Sequence, residues 1–104
     1  MERIELLRSW IKTEPLEPFN YYCLALEYQK QGDAQAGMLF EKLLLDFPKY
    51  LPTYYTAAKY YEEVEPSKAK LVYEQGILLA EALNNGKALK ELKTAYQNFI
   101  FEQD

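Results

Sequence analysis

Two stretches of the 104-residue chain carry side chains that could do chemistry: the lone Cys23, and the carboxylates of "EEVEP" at 62–66. A cysteine becomes a nucleophile when a neighbouring base or cationic surroundings hold it as the thiolate. This chain has no histidine, so the commonest general base and metal ligand is absent. The neighbours of Cys23, Tyr22 and Leu24, suit a half-buried small hydrophobe. Clustered carboxylates could hold a hard cation, but 62–66 lacks the aspartate–glycine loop of a calcium site and reads as a solvated helix end. No glycine-rich loop able to cradle phosphate occurs. Gln31-Gly32-Asp33 reads as a turn followed by a cap. The expectation is a protein without catalytic residues, metal or cofactor, and therefore not an enzyme.

Charge and hydropathy narrow the partners. Twelve basic residues oppose sixteen acidic ones, a net −4, and each half of the chain has eight acidic against six basic. Neither half has a basic tract, so binding to a nucleic-acid backbone lacks its electrostatic source. The opening "MERIELLRSWIK" is charged throughout, unlike a secretion signal. The aliphatic run "ILLA" at 77–80 falls far short of the roughly 20 residues that span a bilayer. One cysteine excludes an intramolecular disulfide and fits a reducing compartment, so a cytoplasmic protein with no membrane partner is expected.

Four glycines against ten tyrosines fit one small helical domain packed with aromatics. The chain also repeats itself at an offset of 33. Tyr21, Leu24, Ala25 and Tyr28 fall on Tyr54, Ala57, Ala58 and Tyr61; Ala36 falls on Ala69, Phe40 on Tyr73 and Leu43 on Gly76. One step back, Phe40 falls on Leu7, Leu43 on Trp10 and Pro48 on Pro15. A period of this length marks stacked helix pairs. In the first unit, Pro18 suits a helix's first turn, and Tyr21, Leu24, Ala25 and Tyr28 form one apolar stripe. Gly32 supplies a left-handed stop and Asp33 a cap; Ala36, Phe40, Leu43 and Leu44 then face inward until Pro48. In the second unit Pro52 opens, Glu65-Pro66-Ser67 breaks, and the second helix runs to about Asn84 with Asn85-Gly86 as its stop. Residues as small as Ala25, Ala36, Ala58 and Ala69 let helix axes approach to about 8–9 Å.

These positions together resemble the tetratricopeptide repeat. The first copy is Tyr21, Leu24, Ala25, Tyr28, Gly32, Ala36, Phe40, Leu43 and Pro48. The second copy (Tyr54, Ala57, Ala58, Tyr61, Ala69, Tyr73, Gly76) has a weaker turn and lacks the closing proline. The resemblance implies an all-α, right-handed superhelical stack of antiparallel helix pairs, an α-solenoid of about six helices. Its parts would be a half-repeat helix over 1–14, repeats over 17–49 and 50–82, and a C-terminal capping helix over 86–102. In the first helix Ile4, Leu7, Trp10 and Ile11 are the apolar set. In the last, Leu89, Leu92, Tyr96 and Phe99 face inward, with Lys87, Lys90, Glu91, Lys93 and Gln97 outside, as a solenoid end requires.

The family's first helices line a concave side that commonly takes an extended peptide or a partner helix. The resemblance therefore implies a protein-interaction module binding through Phe19, Tyr22, Leu26, Lys30, Tyr55, Lys59 and Glu62. Tyr22 and Tyr55 lie about 100° round from the packing stripe. They either floor such a groove, where tyrosine offers large area at low entropic cost, or cover the core against the end helices. Members that clamp the carboxy-terminal aspartate of chaperones use lysine, arginine and asparagine on this face. Here only Lys30 and Lys59 are basic, so an acidic-tail ligand is disfavoured. The alternative is a self-assembling or weakly homo-oligomeric protein, because "FIF" at 99–101 and Trp10 with Ile11 leave apolar residues at the terminal helices that one helix face cannot hide.

Overall fold

A computed structural model describes residues 2–103. Six helices run through them: α1 (Glu2–Thr13), α2 (Pro18–Lys30), α3 (Gln35–Asp46), α4 (Pro52–Val64), α5 (Pro66–Ala82) and α6 (Gly86–Gln103). No strand occurs among the described residues, and no helix is long and apolar enough to cross a membrane. The chain divides into two compact units, one ending at Tyr50 and one beginning at Leu51.

In the first unit α2 packs against both α1 and α3. Proline opens α2, and the Glu17 carboxylate accepts a hydrogen bond from the Phe19 N–H at 3.1 Å, capping an otherwise orphaned donor. The expected stripe is the buried one: Tyr21, Leu24, Ala25 and Tyr28 meet Leu7 of α1 and Ala36, Phe40 and Leu43 of α3 in one core. Leu44 is only half-buried. Gly32 takes φ 66°, where a side chain would be strained. Around it the Asp33 N–H reaches back to the Tyr28 carbonyl at 2.9 Å and the Gly32 N–H to that of Gln29 at 3.0 Å, closing α2 with a Schellman turn. Asp33 then accepts from the Gln35 N–H at 2.9 Å and starts α3.

In the second unit α5 packs against α4 and α6, and α4 touches α6. Tyr54, Ala57, Ala58 and Tyr61 are buried with Ala69, Val72, Tyr73 and Ala80 of α5 and with Leu92, Ala95 and Phe99 of α6. Burying each large side chain here contributes about 1.5–3 kcal/mol. Thr53 is also fully buried, and its Oγ1 finds no hydrogen-bond partner, so this core carries one unmet polar group.

The breaks differ from expectation at two points. Only Glu65 separates α4 from α5, at φ −156° and ψ 80°, because the following Pro66 disfavours helical backbone at the residue before it. The stop after α5 is Asn84 at φ 55°, not the Asn85-Gly86 pair. The Asn85 N–H closes onto the Ala80 carbonyl at 3.0 Å, the Asn85 side chain accepts from the Ala88 N–H at 3.0 Å, and Gly86 is the first residue of α6. Asparagine tolerates the left-handed region well enough to free the glycine from that duty.

Gly76 sits where α5 meets Tyr54. A Cβ there would lie 2.7 Å from the Tyr54 Cβ, an atom that cannot yield without moving the backbone of α4. Gly76→Ala ordinarily adds about 1 kcal/mol of helix propensity, but here overpacking at about 1–3 kcal/mol opposes it. The expected net result is a lower urea midpoint than wild type, and an unchanged or raised midpoint would show that α4 and α5 are not in such close contact.

Candidate functional site

The residues expected to bind a partner divide between the units. On α2, Phe19 stands 54% exposed at the helix entrance. Tyr22, one turn on, is half-buried, its ring edge-on to Tyr50 at 5.9 Å and 69°. Leu26 is half-buried, and Lys30 is exposed with its Nζ 3.7 Å from the Glu27 carboxylate. Glu27 is held more closely by Arg3 of α1, at 2.7 Å. Burial against α2 pushes the Tyr50 phenol's pKa up, and the neighbouring Tyr22 adds to that.

On α4, Tyr55 is 42% exposed. It lines an open concavity of about 500 Å³ together with Lys90, Glu91, Thr94 and Ala95 of α6. Lys59 is exposed, its Nζ 3.9 Å from Glu62. Glu62 is half-buried and accepts a 2.5 Å hydrogen bond from the hydroxyl of the buried Tyr73, so its carboxylate also serves the core. Tyr22 and Tyr55 hold equivalent sequence positions yet differ in exposure, because Tyr50 packs on the former while the latter opens into the α4–α6 concavity.

Two phenols in the second unit are strongly perturbed. Burial first, then the bond to Glu62, holds the Tyr73 hydroxyl well above the usual tyrosine range. Tyr96 donates to Glu74 at 2.7 Å, and that bond, with burial second, pushes it up to about 12. Cys23 is buried and unpaired; burial raises its pKa, the Arg3 charge offsets this and Glu27 reinforces it, so the thiol is held in its unreactive form. Among the described residues no group of three or more histidine, cysteine, aspartate or glutamate side chains is placed to hold a metal ion.

The structure also gathers a groove that the sequence did not suggest, although Ile11 in it was expected among the apolar residues of α1. Arg8, Ile11 and Lys12 of α1 face Met38, Leu39 and Lys42 of α3 across a groove of about 450 Å³ floored by α2. The available signal was the pairing of Arg8 with Lys12 and of Met38 with Lys42 at a spacing of four, which puts each pair on one helix face.

The chain resembles solved structures of tetratricopeptide repeat domains. The crystal structure of a tetratricopeptide repeat domain protein from Salinibacter ruber matches with a TM-score of 0.75 and 36% identity, covering 80% of this chain and 96% of that one. A solution NMR structure of a tetratricopeptide repeat domain protein from the same organism gives the same score and identity over 80% of this chain and 86% of that one. No family model and no curated protein sequence matches.

The fold holds Tyr73 and Tyr96 as neutral phenols. Their contribution is therefore complete below the ordinary tyrosine pKa of about 10 and is lost as the pH rises through the folded values, which for Tyr96 is about 12. Melting temperature should fall progressively above about pH 10. Tyr96→Phe should cost about 0.5–1.5 kcal/mol at neutral pH and flatten that alkaline decline. Titration of every tyrosine at its ordinary value, followed by tyrosinate absorbance, would contradict the assigned bonds.

Proposed function

The chain belongs to the tetratricopeptide-repeat family, and we propose that it is a non-catalytic protein-interaction module whose first helices, α2 and α4, receive a peptide or partner helix. The observation that carries this reading is the pair of aromatic side chains, Phe19 and Tyr55, standing outside the packing stripes of those helices. Large exposed aromatics beside a core are costly to leave in water and supply binding area at little entropic cost. Leu26 and Tyr22 extend the apolar contact on α2, while Lys30 and Lys59 edge the faces. Both lysines already lie within 4 Å of a glutamate on their own helix, which supports a ligand held by apolar contact over one clamped by its carboxylate. The buried, unpaired thiol of Cys23 fits a cytoplasmic setting. Cys23, the one cysteine of the chain, has no histidine to activate it, which supports a role without catalysis.

A second reading is self-association through the terminal helices. Of "FIF" only Phe99 is buried; Ile100 and Phe101 remain exposed at the end of α6, and so does Trp10 on α1.

Affinity capture tests the first reading. Phe19→Ala with Tyr55→Ala should cost under about 1 kcal/mol of stability, since both rings are largely outside the core. The same variant should lose specific partners that wild type and a Leu45→Ala surface control retain. Tyr22→Ala should cost more stability, through Tyr50. An unchanged set of captured proteins with the fold intact would overturn the assignment of these faces.

A further inference from the structure

We propose that the C-terminal end of α6 in one copy of the chain docks into the α1–α3 groove of a second copy. The inference rests on the self-association reading and names both of its surfaces. Ile11, Met38 and Leu39 wall the groove, and Arg8, Lys12 and Lys42 supply its charge; no aspartate or glutamate lines it. Arg8 donates to the Tyr28 hydroxyl rather than to a carboxylate. Lys42 lies over the Tyr21 ring at 5.3 Å and pairs with Asp46 at 2.8 Å. In a chain of net charge −4 this is an apolar slot with a cationic rim.

The end of α6 has the complementary character. Phe101 is 78% exposed with Ile100 beside it, and Glu102 follows. The last turn of α6 has no basic residue. Its two apolar side chains and its carboxylate match what the groove offers: Phe101 and Ile100 enter between Ile11 and Met38, and Glu102 meets Arg8 and Lys12. Donor and acceptor are different surfaces, so each copy carries one of each and either can be blocked alone. A contact this small is weak and concentration-dependent.

Sedimentation of the full chain up to about 1 mM tests it. Wild type should associate with rising concentration, and less so at high salt, where the charge attraction is screened. Phe101→Gln removes the donor and Met38→Glu blocks the acceptor. Both positions are exposed, so circular dichroism should show intact helices in each. Each variant alone should associate about tenfold more weakly or worse. Mixed in equal amounts they should form a dimer that grows no further, since the good groove of one takes the good end of the other. Failure of the mixture to recover dimer, or association undiminished in both variants, overturns the proposed contact while self-association stands. A strict monomer throughout the range overturns both.

Discussion

Helices of 12 to 18 residues are marginal in water by themselves, and what secures these six is close approach at positions with almost no side chain. Ala25, Ala36, Ala57, Ala58 and Ala69 have no exposed surface at all, and Gly76 is so near Tyr54 that even a methyl group has no room. Where side chains are this small, axes come to the low end of the helix-packing range and the flanking large residues interdigitate. Each additional methylene at such a seam would separate the helices and uncover the stripe beside it.

The aromatics depend on that spacing. Tyr21, Tyr28, Tyr73 and Tyr96 keep their rings in or against the core and send their hydroxyls to its edge. Tyr21 donates to the Pro15 carbonyl at 2.8 Å, Tyr73 to Glu62 at 2.5 Å and Tyr96 to Glu74 at 2.7 Å, while Tyr28 accepts from Arg8. A ring buried this way adds apolar contact without leaving its hydroxyl unmet, which would cost about 1–3 kcal/mol. It also fixes the charged residue at its rim, so the core decides where Arg8, Glu62 and Glu74 stand. Glu62 is thereby tied to Tyr73 and Lys59 at once, a carboxylate already committed to the fold.

The stripes were legible because their spacing is local and recurs: Tyr21, Leu24, Ala25 and Tyr28 with their counterparts on α4, and Ala36, Phe40 and Leu43 with Ala69, Tyr73 and Gly76, are all buried. Gly32 was legible for the same reason, as the one residue type that takes a left-handed stop freely. Asn84 was hidden by its neighbours, since Asn-Gly is the stronger stop signal and here the left-handed residue stands one place earlier. The difference between Tyr22 and Tyr55 was invisible because Tyr50, which covers one of them, follows α3 and lies 28 residues away in the chain. The cationic groove escaped for a similar reason. Its walls come from α1 and α3, and only packing on α2 brings them face to face.

The seam itself can be probed most directly at Ala69, on α5 in the pair it makes with α4. Urea denaturation of Ala69→Leu, set beside Leu71→Ala on the exposed side of the same helix, separates close approach from helix propensity. Ala69→Leu should lose about 2 kcal/mol or more and Leu71→Ala should change little. Equal midpoints for Ala69→Leu and wild type would contradict this, for the helices would then have room that close packing at alanine does not leave.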